Sequence, residues 1–464
     1  MANVNKQSTC FIFVAFCTLV PMFMAYNGGA TAGIVTILAK MNWSEEGIGA
    51  LGAMDKVGMT LGAVFWGWAY INFQAKALLS AAIIVNALAL LLFASAANPS
   101  LMSTFGLDGL YTSLMIIAKL VVGITELGVW NWAPLWIDLY GGDRKEQWLA
   151  IGTGGMASGI GNGLGMLAAG RFGLSAFTME ACVLILLWLL LVSGTKADAL
   201  VIHTEKLEEE REGEQASACA QTVTLFRYPQ FLFISCAFAA ANYVMGAAQF
   251  IWIEVHQVFW ASLFPATPMM NNVASGVLLL IAMVGGSLGI GVASSQKFAD
   301  DIATQDCTIR FVVKSFLVST IGASVSLGAV SIRWNYDYSC LTYATLVTTW
   351  LAAFLMFAGV TATLAPLNKL CINCATSRDA KEMGMSFFTL SNMLLGYANG
   401  MFLPMGVAGA LNNLNFNTGM QFMAAWGTMA SGTFVGLLCI MAAWCVQPSS
   451  DGHSECSERE PLHF

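Results

Sequence analysis

Charged side chains are scarce in this sequence, because Asp, Glu, Lys and Arg together account for only 10% of its 464 residues. Histidine occurs 4 times and proline 10 times. Cys371 and Cys374 form a C-x-x-C, but a second pair of ligands is lacking, and no nucleophile motif or phosphate-binding loop stands out. These absences argue against an enzyme, and we expect neither a cofactor nor a metal. The net charge of -7 and the lack of a basic stripe argue against nucleic acid as a partner.

Apolar residues are abundant instead, at 57% of the chain, which exceeds the share typical of soluble domains. A membrane-spanning helix needs about 20 mainly apolar residues. The sequence therefore predicts an all-α polytopic membrane protein with twelve transmembrane helices. The predicted spans cover residues 10–38, 46–70, 76–97, 111–139, 148–169, 174–193, 231–253, 273–294, 311–331, 341–364, 383–408 and 420–445.

One polar segment divides this pattern into two halves of six spans each. It contains the run EKLEEEREGEQ, which is too polar to enter a bilayer and is typical of a flexible linker. We predict a six-helix bundle in residues 1–194, an acidic cytosolic linker in 195–226, a second six-helix bundle in 227–446 and a cytosolic tail in 447–464.

The distribution of lysine and arginine predicts the orientation. With the N-terminus inside, fifteen of the 20 basic residues fall in or beside inner loops and tails. Lys40, Arg171 and Arg333 fall outside, and Lys56 and Lys119 fall within spans. Because cytoplasmic loops carry an excess of basic residues, we expect both termini in the cytosol. The pattern does not choose between an endolysosomal and a plasma membrane.

Four charged residues inside the second and fourth spans form the candidate site: Asp55, Lys56, Lys119 and Glu126. Lys119 and Glu126 are seven residues apart, so they share one helix face about 10 Å apart. Charge at membrane depth is costly unless it is paired or faces a wet cavity. Two interpretations remain open, a structural set of ion pairs between helices and a site for substrate binding or proton coupling.

The functional interpretation assigns a role to each of these charges. Burial raises the proton affinity of a carboxylate and a nearby cation lowers it, so its charge depends on which partner is near. Our hypothesis is that Glu126 or Asp55 takes a proton from the outer side, which weakens its pairing with Lys119 or Lys56 and lets the helices rock. Lys119 could instead bind an anionic head group.

Two observations connect these spans to a known family. The run WAPLWIDLYGGDRKE at the fourth span has a weak counterpart, LAPLNKLCINCATSRDAKE, at the tenth, with Pro134 and Pro366 separated by half the chain length. The stretch VGITELGVWNWAPLWIDLY resembles the fourth-helix signature of spinster-like major facilitator proteins, with Lys119 in place of an arginine. The runs at 155–165, 225–252, 275–292 and 377–400 are also similar to that family.

The resemblance implies a major facilitator fold, with two six-helix halves and a substrate site between them. It also implies a lysophospholipid or sphingoid substrate. Within the family's inner-loop motifs we assign gating or loop-fixing roles to Asp138, Arg144, Asn72 and Arg378. Two positions depart from the family pattern: the usually charged loop after the second helix reads Ile71-Asn72 here, and Tyr397 replaces an aspartate. A neutral loop should hold the outward-open state less firmly.

Several polar or aromatic residues within spans are candidates for lining the substrate pathway. They are Asn27, Trp130, Asn242, Asn392 and Tyr397. For the asparagines within the two later spans, hydrogen bonds between helices are the alternative use. Asn27 belongs to a first span that we expect to be interrupted at Pro21 and at Asn27-Gly28-Gly29. Glu254 and His256 lie just beyond the seventh predicted span, where we expect them to be solvated.

The leading functional hypothesis is a secondary active transporter that works by alternating access on an amphipathic organic solute, with coupling to protons. The alternatives are a facilitator of a small polar solute, such as a sugar, amino acid or organic anion, and a receptor that binds without transporting. We expect a monomer integral to the membrane, whose partners are a small-molecule or lipid substrate and protons.

Overall fold

The structure is a computed structural model in which all regular structure of the described residues is helical. It describes residues 6–34, 37–38, 43, 45–97, 108–140, 144–200, 229–295, 305–336, 339–373, 388 and 390–446. The predicted linker at 195–226 and tail at 447–464 lie largely outside these ranges. The domain boundaries at 194 and 227 therefore remain predictions.

The described residues form a short 3-10 helix at Ala197–Leu200 and twelve long helices, numbered in chain order. They are α1 (Lys6–Ile12, the π-helical Phe13–Leu19, and Val20–Gly33), α2 (Glu45–Asn72), α3 (Ala75–Ala96), α4 (Asp108–Tyr140), α5 (Arg144–Phe172), α6 (Ser175–Gly194), α7 (Pro229–Phe259), α8 (Pro268–Ser295), α9 (Gln305–Asn335), α10 (Ser339–Asn373), α11 (the π-helical Asn392–Ala398 and Asn399–Asn413) and α12 (Thr418–Cys445). Ten of them are long and apolar enough to cross a membrane. The other two, α2 and α5, span 28 and 29 residues and contain six and eight glycines.

The first helix is interrupted beside Pro21, as predicted, but not at Asn27-Gly28-Gly29. Helix α1 stays α-helical through Asn27 and Gly29, and its π-helical segment Phe13–Leu19 comes before Pro21. Proline has no N–H to donate and crowds the carbonyl four residues earlier, and the wider π-helical turn accommodates both effects. Gly29 serves close packing instead, since a Cβ there would overlap the backbone of Asn162 in α5.

Helix packing in the first half repeats in the second. The contacts α1 to α5, α1 to α6, α2 to α4, α3 to α4 and α3 to α6 recur as α7 to α11, α7 to α12, α8 to α10, α9 to α10 and α9 to α12. The halves meet mainly through α2 against α11 and α5 against α8. This is the parallel repeat that the sequence predicts. Buried apolar residues form two clusters, one mainly from α1 to α6 and one mainly from α7 to α12.

The two halves are packed together at the end where α1 finishes, which is the predicted outer end. There a Cβ on Gly52 of α2 would overlap the ring of Phe250 in α7, and one on Gly163 of α5 would overlap Leu279 of α8. One turn nearer the opposite end, a Cβ on Gly159 would meet no atom within 4 Å. The contact between α5 and α8 therefore loosens toward the predicted inner end.

Candidate functional site

Three of the predicted charged residues form a compact group between α2 and α4. The Nζ atom of Lys56 lies 3.2 Å from Oδ2 of Asp55 and 3.7 Å from Oε1 of Glu126. All three residues are buried, with 1% to 7% of their surface exposed. We call Asp55, Lys56 and Glu126 the Lys56 triad. It joins two carboxylates to one ammonium.

Close contact between α2 and α4 brings the triad together. A Cβ on Gly123 would overlap the backbone carbonyl of Asp55, and one on Gly58 would overlap the carbonyl of Leu120. Such close backbone approach is possible only where the side chain is absent. Gly123 lies one turn before Glu126, so this contact sets the distance between Glu126 and Lys56.

Two aromatic side chains of α2 fix α4 on both sides of Glu126. The indole N–H of Trp66 donates to the carbonyl of Ile124, and the hydroxyl of Tyr70 donates to the carbonyl of Gly128 at 2.8 Å. Sequence reasoning did not assign these roles. A signal was present, because Trp66 and Tyr70 are four residues apart and thus share one face of α2.

Trp130 and Tyr397, both predicted to line the pathway, border the triad. The indole N–H of Trp130 donates to Oε1 of Glu126 at 3.2 Å. The ring of Tyr397 lies 5.6 Å from Nζ of Lys56. Tyr397 belongs to the π-helical segment of α11, so it brings a residue of the second half against a charge of the first.

Lys119 does not share the carboxylates of the Lys56 triad at ion-pair distance. Its ammonium donates instead to Oδ1 of Asn27 and to the hydroxyl of Thr31, both on α1. The faces of Phe93 and Phe177 lie 4.6 and 4.8 Å from the same ammonium. Oxygen acceptors and aromatic faces together stabilise a buried cation. Asn27 is therefore a ligand of Lys119, which the sequence did not predict.

Glu180 of α6 is a fifth buried charged residue of this half, and sequence reasoning missed it. It is 1% exposed and lies near Lys119 and the backbone of Asn27. The signal was its position in the apolar run FTMEACVLILLWLL. An ionisable residue within a membrane span is a candidate functional residue by default.

The remaining predicted site residues lie apart from the triad or are not described. Asn242 of α7 is buried and donates to the carbonyl of Phe238 in its own helix at 3.0 Å. Asn392 is buried at the start of the π-helical segment of α11. The side chains of Asn72, Asp138 and Arg144 are not described, and Arg378 lies outside the described residues. Their gating roles stay predictions.

The expectation that His256 is solvated is wrong, because α7 continues past Ile253 to Phe259. His256 is fully buried among aromatic rings, stacked near Trp252 and Trp350. Its Nε2 accepts from the indole N–H of Trp350 at 2.9 Å, and its Nδ1 lies 2.7 Å from the carbonyl of Trp252. These partners require the neutral tautomer that carries its proton on Nδ1.

A cavity of about 630 Å³ lies at the predicted outer ends of α5 and α8. Its lining residues are Gly170, Arg171, Thr267, Met269, Asn272 and Val273. None of them belongs to the Lys56 triad or contacts Lys119. We place the candidate site at the triad rather than at this cavity, because the triad holds three buried charged groups and such residues within membrane spans are candidate functional residues.

Comparisons of the structure give matches over nearly the whole chain. The proton:xylose symporter XylE from E. coli, of the major facilitator superfamily, is 16% identical with a TM-score of 0.63, over 95% of this chain and 96% of that one. A variant of the nucleoside transporter NupG is 13% identical with a TM-score of 0.63, over 95% and 100%. A bacterial homologue of the human lysosomal transporter Spinster, in an inward-facing, occupied conformation, is 13% identical with a TM-score of 0.60, over 95% and 97%.

Comparisons of the sequence alone add nothing to this result. No protein-family model and no curated protein matches it. At identities this low, the structural likeness establishes the arrangement of helices and not the substrate. The predicted fold is confirmed: the chain is an all-α polytopic membrane protein with the major facilitator fold.

Proposed function

We propose that this protein is a secondary active transporter that works by alternating access and couples transport to protons. The observation that carries the proposal is the Lys56 triad, in which one buried ammonium faces two buried carboxylates. When all three groups are ionised, the triad has a net charge of -1. Burial of uncompensated charge is expensive, so binding of one proton stabilises the closed site.

The surroundings of the triad favour a proton over a larger cation. Asp55, Lys56 and Glu126 are almost fully buried. The cavity described above lies elsewhere, at the ends of α5 and α8. A metal ion would need oxygen ligands without an ammonium beside it, whereas a proton needs only a carboxylate oxygen. The second carboxylate oxygen of Glu126 has no hydrogen-bond partner among the described residues.

The position of the triad connects protonation to movement of the halves. Lys56 belongs to α2, which packs against α11 of the other half, and its ammonium faces Tyr397 there. Protonation of Asp55 or Glu126 weakens one ion pair of Lys56 and frees its ammonium to move. Alternating access requires the contact between α2 and α11 to change. Because Lys56 lies at this contact, the pairing of its ammonium affects which arrangement of the contact is more stable.

For the substrate, we propose an amphipathic organic solute such as a lysophospholipid or a sphingoid base. The sequence resemblance to spinster-like proteins supports this choice, and a bacterial Spinster homologue is among the similar structures. A second candidate is a small polar solute. It is favoured by the equally good structural match to proteins described as a xylose symporter and a nucleoside transporter.

The test is uptake into proteoliposomes that contain the full-length protein. Labelled lysophospholipid, sphingosine, xylose and a nucleoside are each supplied with and without an inward proton gradient. We expect uptake of a lipid to rise with the gradient in the wild type. Glu126→Gln should abolish this rise and leave the protein folded, because glutamine keeps the shape and removes the titratable group.

A matched control separates the role of this acid from a general loss of charge. Glu254→Gln changes a half-buried acid of the second half and should leave gradient-driven uptake unchanged. Uptake of only a polar solute would keep the transporter and replace its substrate. Full gradient-driven uptake in Glu126→Gln, or no uptake of any probe by the wild type, would contradict the proposal.

A further inference from the structure

Glu180 is a buried acid to which the proposed transport cycle assigns no role so far. Its side chain belongs to α6, close to the caged ammonium of Lys119, and is 1% exposed. Among the described residues, ion pairs at contact distance join Lys56 to Asp55 and Lys56 to Glu126, and neither includes Glu180. Its carboxyl group lies near the backbone of Asn27, and no side chain of the described residues donates a hydrogen bond to it.

The buried acidic and basic side chains of the first half need one bound proton to have no net charge. The set comprises three acids and two bases, namely Asp55, Glu126 and Glu180 with Lys56 and Lys119. We call these five residues the charge cluster. Fully ionised, the charge cluster has a net charge of -1. One bound proton makes it neutral, which is the state that a low-dielectric interior favours.

The three carboxyl groups differ in how well their negative charge is compensated. Asp55 lies 3.2 Å from the ammonium of Lys56 and accepts from the backbone N–H of Lys56 at 2.8 Å. Glu126 lies 3.7 Å from the same ammonium and accepts from the indole N–H of Trp130. Glu180 has neither an ammonium at ion-pair distance nor a side-chain hydrogen-bond donor, and the backbone of Asn27 lies near it. An uncompensated carboxylate is the one that a proton neutralises first.

The helices packed against α6 bring few charged or titratable groups near Glu180. The titratable or charged groups that interact with it are Tyr26 of α1 and Lys119 and Glu126 of α4. Helix α3 contributes the ring of Phe93, packed on Phe177 of α6. Helix α5 contributes Arg171, which is exposed at the predicted outer end.

From this geometry we propose that Glu180 holds the proton of the charge cluster in the present conformation. The proposal rests on the proposed function, because it names the residue that stores the coupling proton. It makes Glu180 the partner of Glu126 in a transfer. The O–H bond of Glu180 breaks, the proton binds a carboxylate oxygen of Glu126, and the total charge of the cluster stays the same.

This transfer shifts one negative charge from Glu126, beside Lys56, to Glu180, beside Lys119. With the proton on Glu180, Asp55 and Glu126 are both ionised and face the ammonium of Lys56, beside Tyr397 of the second half. With the proton on Glu126, the negative charge is on Glu180, next to Lys119 and inside the first half. The attraction that fixes Lys56 is then weaker, while Lys119 gains a carboxylate partner. The contact between α2 and α11 thus responds to an acid on α6.

Infrared spectroscopy of the full-length protein in lipid nanodiscs tests the proposal without a substrate. A protonated buried carboxyl group gives a C=O stretching band that is separate from those of carboxylates and amides. We expect the wild type to show one such band at neutral pH. Glu180→Gln should abolish it, whereas Glu126→Gln and the control Glu254→Gln should retain it.

Each other outcome has a defined meaning. A band that survives in Glu180→Gln, a band that disappears in Glu126→Gln, or a wild type without the band would overturn the assignment. If Glu180→Gln does not fold, Glu180→Asp replaces it and must shift the band, since the acid remains but its surroundings change. Gradient-driven uptake by the wild type is measured separately, so a failed transport hypothesis and a failed Glu180 assignment give different results.

Discussion

The two halves of this protein share one helix arrangement but bury different side chains. The first half encloses five acidic or basic side chains, on α2, α4 and α6, in a space that α1 also borders. The second half buries mainly apolar residues. Among its described Asp, Glu, Lys, Arg and His side chains, the buried one is His256, which is enclosed by aromatic rings and kept neutral by its partners. A repeated fold therefore does not imply a repeated function. Under the proposed function, proton sensing belongs to the first half, and the second half is the surface against which it moves.

The largest test of this comparison removes the cation of the triad. Lys56→Met leaves Asp55 and Glu126 buried without their ammonium, and we expect a loss of about 3–5 kcal/mol in stability. The measurement is the apparent unfolding midpoint in detergent. Lys314→Met, at an exposed lysine of α9, is the control and should change stability by less than about 0.5 kcal/mol. An unchanged midpoint in Lys56→Met would show that the triad is already solvated.

The second test asks whether close helix contact matters more in the first half. Gly123→Ala places a methyl group on the carbonyl of Asp55, where both backbones are fixed, and should cost about 3 kcal/mol. Gly322→Ala makes the equivalent change between α9 and α10, and Gly427→Ala, in open space, is the control. Proton-driven uptake should fall in Gly123→Ala alone. Equal loss of uptake in Gly322→Ala would contradict the division of roles.

The third test concerns the buried histidine of the second half. His256→Phe keeps an aromatic ring but removes the partner of the Trp350 indole and of the Trp252 carbonyl, at an expected cost of about 2 kcal/mol. Because His256 is not part of the charge cluster, the dependence of uptake on the proton gradient should remain. A His256→Phe variant with normal stability but altered pH dependence would move proton sensing to the second half.

The smallest expected effect is at Tyr397, where the two halves meet at the triad. Tyr397→Leu removes the ring that faces the ammonium of Lys56, a contact worth about 0.5–1 kcal/mol. Tyr397→Phe retains the ring and is the matched control. Transport assays should show a changed gradient dependence in the leucine variant and little change in the phenylalanine variant. Identical behaviour of both variants would remove Tyr397 from the coupling path.

The number of helices and the residues of the Lys56 triad could be predicted from the sequence. The side chains that contact the charged residues from other helices could not. Long apolar runs specify where spans occur, although α7 and α10 extend beyond the predicted ends because a helix need not stop at the edge of the hydrocarbon. The seven-residue spacing of Lys119 and Glu126 predicted that both face the protein interior, and both are 1% exposed. Spacing along one helix does not show which other helix lies opposite, so the contacts of Lys119 with Asn27 and Thr31 were out of reach.

Glu180 shows a different limit of the sequence. One acid in an apolar run is visible, but its importance comes from Lys119, which lies 61 positions earlier in the chain. His256 was placed in solvent because the predicted span ended at Ile253. The number of aromatic residues after that point was the signal for continued burial.

The π-helical segments of α1 and α11 have a consequence for how the chain can change in length. A π-helical turn amounts to one residue inserted into an α-helix, and α7 and α5, the repeat counterparts of these helices, have none in their described residues. Loss of one residue within Asn392–Ala398 would restore an ordinary helix and keep both flanks in register. The same deletion within Asn399–Asn413 would rotate everything beyond it by about 100°. The chain thus contains two sites where a single-codon deletion is structurally mild, and one of them would change the position of Tyr397.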